Sequence, residues 1–212
     1  MNPPWPLRGV YAITPDENDT TQLLARVQTV LQAGAAWLQY RNKTADGPLR
    51  EHQAKRLQPL CRAWRVPLII NDDWRLAAPI GADGAHVGED DGELVAARAA
   101  LPAGTILGAS CYADLTLARQ AAAAGADYVA FGAFYPSLTK PHARRATADL
   151  LRDAAQFGLP RVAIGGITPD NALPLVRAGA DLIAVISGVF DAPDPAAAVR
   201  AYLSCFEGAP KP

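Results

Sequence analysis

The stretch LARQAAAAGADYVAFG, residues 117–132, runs from an Ala-rich segment through Ala124-Gly125-Ala126-Asp127 into a short apolar run. It reads as helix, stop, tight turn and strand, with Gly125 where a helix C-terminus demands a left-handed residue. The same ending recurs in ALPLVRAGADLI (172–183), and related forms stand in QAGAAW (32–37) and IGADGAHV (80–87). Each junction lies directly before an apolar run, so an abundance of Ala and Gly does not account for the pattern. Four such junctions point to a repeated βα unit.

Working outward, apolar β-branched runs recur about every 20 to 30 residues, the spacing βα units require. They are GVYAI (9–13), AAWLQYR (35–41), VPLIIN (66–71), GAHV (84–87), TILGAS (105–110), DYVAFG (127–132), RVAIGG (161–166) and LIAVIS (182–187). Between the first two, Leu23, Leu24, Val27, Val30 and Leu31 follow helical spacing, and Gly34 stands at the C-cap. Eight strands alternating with helices predict an α/β protein, a (β/α)8 TIM barrel in a single domain. A doubly wound open sheet shares the alternation but normally has fewer strands. No linker divides the 212 residues, and the Pro-rich ends MNPPWP and GAPKP read as frayed, which puts the barrel at about 9–206.

Composition narrows the function. Half the residues are hydrophobic, 19% are charged and the net charge is −1, a globular balance without an electrostatic footprint for nucleic acid or an anionic membrane. Cys61, Cys111 and Cys205 are widely spaced and odd in number, which argues against a disulfide framework and fits a reducing, cytoplasmic setting. Every apolar run is interrupted well before the roughly 20 residues of a membrane span, and the start carries no signal-peptide core. The expected partners are small molecules; a homo-oligomer is left open.

In such a barrel the chemistry gathers at the C-terminal ends of the strands. The second strand ends Gln39-Tyr40-Arg41-Asn42-Lys43, and alternation sends Gln39, Arg41 and Lys43 to one side. An amide and two cations there suit an anionic ligand, or Arg41 pairs with a carboxylate of a neighbouring strand. The third strand ends Asn71-Asp72-Asp73 and the fourth runs His86-Val87-Gly88-Glu89-Asp90-Asp91. Adjacent acidic clusters call for a cation, and hard oxygen donors favour Mg2+ held jointly with a phosphorylated ligand. Asp73 and Asp90 are placed to cap the following helices, which leaves Asp72 and Asp91 as metal ligands.

The sixth strand leads into Phe134-Tyr135-Pro136-Ser137-Leu138-Thr139-Lys140, a loop of hydroxyls and an ammonium group. Gly165-Gly166 after the seventh strand and Ile186-Ser187-Gly188 after the eighth allow backbone N–H groups to approach a phosphate. His86 reads as a packed or supporting residue, and His52 and His142 have no partner that can be named. Cys111, beside Ser110, has no base placed near it and reads as inert.

The ordered set QYRNK, NDD, HVGEDD, GAS, YPSLTK, AIGGIT and VIS resembles the thiamine phosphate synthase family, from Gly9 to about Phe206. The resemblance implies a transferase that joins a pyrimidine diphosphate to a thiazole phosphate with Mg2+, releasing pyrophosphate. It implies that Gln39, Tyr40, Arg41, Asn42, Lys43 and Asn71 hold the pyrimidine diphosphate, with Ser110 near the pyrimidine and Lys140 on the diphosphate. Asp72 and Asp91 match the metal ligands; Ser137, Leu138, Thr139, Gly166, Ile186 and Ser187 match the thiazole phosphate contacts. Arg41, Lys43, Ser110 and Lys140 are then the catalytic set.

Ser137 stands where the family usually has Thr, and Asn42 and Asp90 where Glu is common; no matched metal or phosphate ligand changes. The related thiazole tautomerases carry a His just after the sixth strand, where this chain has Gly132-Ala133. These residue types suit a dissociative displacement: cations receive the departing polyanion, and a nucleophilic thiazole nitrogen needs positioning rather than a base. A barrel aldolase using Lys43 or Lys140 as Schiff-base amine, and a non-catalytic phosphate-ligand sensor, are the rival classes.

Overall fold

Each Ala-Gly-Ala-Asp junction fastens the foot of a strand. The computed structural model describes residues 6–88, 94–136 and 145–209. In it Gly125 and Gly179 adopt φ of 83° and 102°, and the chain turns through them out of a helix. The aspartate that follows closes the turn with both side chain and backbone. The Oδ2 atoms of Asp83, Asp127 and Asp181 accept the N–H groups of Leu68, Leu107 and Arg161 at 2.9, 2.8 and 2.8 Å. Their own N–H groups donate to the carbonyls of the same three residues at 3.0, 2.7 and 2.8 Å. The recurring aspartate is therefore a clamp between one unit's turn and the start of the preceding strand.

The strands are β1 (Gly9–Ile13), β2 (Trp37–Tyr40), β3 (Leu68–Asn71), β4 (Gly84–Val87), β5 (Ile106–Tyr112), β6 (Tyr128–Phe131), β7 (Arg161–Ile164) and β8 (Leu182–Val185). They pair in sequence order, all parallel, and β8 returns to β1 to close the barrel. The helices are α1 (Thr20–Gln32), α2 (Gly47–Trp64), α3 (Trp74–Ile80), α4 (Leu94–Ala100), α5 (Leu115–Ala123), α6 (Ala148–Asp153), α7 (Pro169–Arg177), α8 (Ser187–Phe190) and α9 (Pro195–Ser204). Aspartates open many of them: Asp19, Asp46, Asp73, Asp114 and Asp194 each accept a first-turn N–H. Asp73 is thus the helix cap its position implied. In α1 the buried Leu23, Val27, Val30 and Leu31 face the sheet, each burial contributing about 1.5–3 kcal/mol.

The closed sheet has two cores. Outward-facing residues such as Leu38, Leu68, Ile70 and Val129 pack under the helices. Inward-facing Tyr11, Trp37, Ile69, Tyr128, Val162 and Leu182 fill the barrel itself. Tyr11, Trp37 and Tyr128 meet edge to face with ring centroids 5.3–6.0 Å apart. Gly108 makes this filling feasible: a Cβ there would lie 2.0 Å from Cζ of Tyr128.

Candidate active site

The mouth is assembled from strand ends that tie to one another. Thr14, just past β1, is fully buried, and its hydroxyl donates to the Arg41 carbonyl at 2.7 Å and accepts the Arg41 N–H at 2.8 Å. That double bond fixes the backbone of Arg41 beyond the end of β2. Asp16 then serves two neighbours through Oδ1, which accepts from the Arg41 guanidinium at 2.9 Å and the Lys43 N–H at 2.7 Å. The Lys43 ammonium reaches Asp72 Oδ2 at 3.0 Å. Asp72 stands after β3 with a left-handed φ of 64°, and its N–H donates to the His86 carbonyl at 2.8 Å. The geometry thus gathers Arg41, Lys43 and Asp72 on one rim, each cation already opposite a carboxylate.

Tyr40 and Asn42 line the cavity beside this rim and are also tied to their own loop. The Tyr40 hydroxyl donates to Oε1 of the fully buried Gln53 at 2.7 Å. The Asn42 amide nitrogen donates to the Glu17 carbonyl and to Gln53. Its amide oxygen accepts the N–H groups of Thr44 and Ala45 and the Thr44 hydroxyl. These bonds use the whole side chain of Asn42 to hold the β2–α2 loop. The Lys43–Asp72 pair lines a cavity of about 290 Å3 together with Tyr40, Asn42, Arg50 and Asn71. Arg50, on the first turn of α2, and Asp16 carried no motif and were not foreseen from sequence.

Gln39 lies deeper, inside the barrel, with its amide nitrogen 2.9 Å from the Tyr11 hydroxyl. From there a row of buried polar groups crosses the interior. Tyr11 and Tyr128 share a hydrogen bond at 2.8 Å, Tyr128 meets Nδ1 of His86 at 2.9 Å, and Nε2 of His86 meets the Ser110 hydroxyl at 2.9 Å. Burial lowers the His86 pKa to about 4, against a smaller opposing pull from Asp72, so the ring is neutral at pH 7. Burial likewise pushes both phenols above their ordinary range. His86 is the supporting residue its sequence position implied. Cys111 points into the outer core and burial pushes its thiol up to about 12, which disqualifies it as a nucleophile at neutral pH.

Across the barrel, β7 ends at Gly165-Gly166, where Gly166 has φ of 62°. A Cβ on Gly166 would lie 2.3 Å from the Pro136 carbonyl oxygen and 2.7 Å from that of Tyr135. Its glycine is therefore required by the close passage of the β6 loop. Tyr202 on α9 donates to the Ile167 carbonyl at 2.8 Å and abuts Gly188, tying the ends of β7 and β8 together. Ser187 opens α8 and is exposed, with Ile186 half-buried behind it. In the closed order β7 stands four strands from β3 in either direction, so Gly166 faces Asp72. β8 is only two strands from β2, so Ser187 flanks Gln39 rather than opposing it. Asp91, Ser137, Leu138, Thr139 and Lys140, with Asp90 and His142, lie outside the described residues.

This is a (β/α)8 barrel with paired cations and a carboxylate on one rim and glycine-rich strand ends on the other, the class of barrel whose active sites lie at the C-terminal ends of the strands. Comparison with known proteins narrows that class. Residues 10–189 match the family described as thiamine monophosphate synthase. The thiamine-phosphate synthase of Xanthomonas campestris pv. campestris (strain 8004) is 62% identical over 199 residues, covering 94% of this chain and 96% of its own. That of Methylobacillus flagellatus is 55% identical over 201 residues, covering 95% of this chain and 96% of its own. Among solved structures, thiamine phosphate pyrophosphorylase from Pyrococcus furiosus superposes with a TM-score of 0.85 at 31% identity, covering 96% of this chain and 98% of that one. The chain belongs to the thiamine monophosphate synthase family, transferases of thiamine biosynthesis.

Proposed function

We propose that the protein joins 4-amino-2-methyl-5-(diphosphooxymethyl)pyrimidine to a thiazole phosphate in the cytoplasm, giving thiamine phosphate and pyrophosphate by a dissociative displacement. The observation that carries this reading is the rim of β2 and β3, where Arg41, Lys43 and Asp72 stand together across from Gly166. Each cation has one carboxylate partner, at about 3 Å, and a diphosphate arriving at the mouth offers both a stronger one.

In the step itself, the bond from the pyrimidine methylene to the diphosphate oxygen breaks and pyrophosphate leaves with the electron pair. Arg41, Lys43 and Lys140 meet that growing negative charge. The methylene cation is delocalised into the aminopyrimidine, held by Gln39 and Ser110. The thiazole nitrogen, positioned by a phosphate seated at Gly166, Ile186 and Ser187 and by the 137–139 loop, supplies the lone pair for the new C–N bond. No base is required, which agrees with a buried, neutral His86 that faces Ser110 rather than the rim.

Asp72 and Asp91 would hold Mg2+. Asp72 is less than a third exposed and aims its carboxylate oxygen at a cation already, the Lys43 ammonium, so its donor chemistry suits a hard ion. When bound, Mg2+ neutralises charge on the departing pyrophosphate. The test is pyrophosphate release measured with each precursor alone and with both, with and without Mg2+. Release in step with thiamine phosphate, dependent on both precursors, supports the reading; release that ignores the thiazole phosphate refutes it.

A further inference from the structure

The interior row Gln39–Tyr11–Tyr128–His86–Ser110 has a direction. With the Gln39 amide nitrogen as donor to Tyr11, the Tyr11 oxygen is already an acceptor. Its other polar neighbour among the described residues is the Tyr128 hydroxyl. The Tyr11 proton therefore goes to Tyr128; otherwise a buried hydroxyl proton would be left without an acceptor. Tyr128, having accepted, donates its proton to Nδ1 of His86. Nδ1 is then bare and the ring proton sits on Nε2, which donates to the Ser110 oxygen. The last proton in the row, on Ser110, has no acceptor within the described protein and is free for a ligand.

A second, independent feature supports the arrangement. Gly108 pairs across the sheet with His86 on β4 and with Tyr128 on β6. Because Gly108 lacks a Cβ, the two rings stack over it, with centroids 5.5 Å apart at 24°. A Cβ there would lie 2.3 Å from the Tyr128 hydroxyl. The backbone thus reserves space for the link between the two rings.

We infer that Tyr11, Tyr128 and His86 are positioning residues that fix the Ser110 hydroxyl as a hydrogen-bond donor, matched to an acceptor nitrogen of a heteroaromatic ring. The matched ligand rests on the proposed function; the polarity of the row does not. Gln39, at the other end of the row, spends its amide nitrogen on Tyr11, which leaves its amide oxygen as an acceptor. A bare ring nitrogen meets the one proton that the row leaves unshared, whereas a ring N–H at the same place leaves that proton without an acceptor.

The polarity is read directly from the His86 tautomer by nitrogen-15 NMR of the full-length, ligand-free protein at neutral pH, with His86→Gln assigning the signal. The expected result is the Nε2–H tautomer with an unprotonated Nδ1; an Nδ1–H tautomer overturns the inference whatever the protein catalyses. The functional arm uses Tyr128→Phe, which keeps the ring and deletes the hydroxyl. The KM for the pyrimidine diphosphate should rise about tenfold while that for the thiazole phosphate is unchanged, and Ser110→Ala added to Tyr128→Phe should cost little more than Ser110→Ala alone. Additive effects, or equal rises in both KM values, would mean that Tyr128 merely packs the barrel.

Discussion

Asp16 holds Arg41 and Asp72 holds Lys43, and that pairing makes a definite expectation for single residues. The Lys43 ammonium stands 3.0 Å from Oδ2 of Asp72 and would compete with a metal for that carboxylate. Lys43→Met should therefore tighten Mg2+ binding to the free protein several-fold while raising the KM for the pyrimidine diphosphate, both measurable by calorimetry and steady-state kinetics. Asp72→Asn should lower turnover at least about tenfold with the fold intact, by circular dichroism. His86 carries a pH expectation. Its pKa falls from 6.5 in the unfolded chain to about 4 in the fold, so between these values the unfolded chain takes up the proton first. Stability is then lost as pH drops through this window, by about 3 kcal/mol. Urea unfolding at pH 7, 5.5 and 4 should show that loss in wild type and a shallower one in His86→Gln. Individual cations and carboxylates were legible because they sit in short motifs at strand ends. Their partners were not: Asp16 meets Arg41 from another loop, and Tyr11 meets Tyr128 across 117 positions of sequence.

At the scale of elements, all eight strands were legible from apolar runs between helical segments. The runs overreach at their ends, since AAWLQYR spans 35–41 while β2 is Trp37–Tyr40. Buried turn residues such as Ala35 and Ala36 are as apolar as strand residues, and only the hydrogen-bond ladder separates them. β5 errs the other way, running on through Cys111 to Tyr112 because its register shifts after Ser110. No local signal marks that irregularity. The Ala-Gly-Ala-Asp repeat was legible as punctuation; its clamping role needed the strand next door. From that role, Asp127→Ala should strip an acceptor from the Leu107 N–H and destabilise the fold by about 1–3 kcal/mol in urea melts, with both KM values unchanged. Gly166→Ala should both lower stability and impair turnover, because its new Cβ meets the backbone of Tyr135 and Pro136.

For the whole molecule, closure of the barrel is what turns a list of strand ends into one site. Strand order sets β3 opposite β7. In the proposed function the two rims take different substrates, the pyrimidine diphosphate at β2–β3 and the thiazole phosphate at β7–β8. The most direct measurement is the pair of KM values in Arg41→Ala and in Ser187→Asp, whose new carboxylate repels a phosphate at that rim. The KM for the pyrimidine diphosphate alone should rise in the first, and that for the thiazole phosphate alone in the second. If both substitutions raise the same KM, the two-sided site is contradicted.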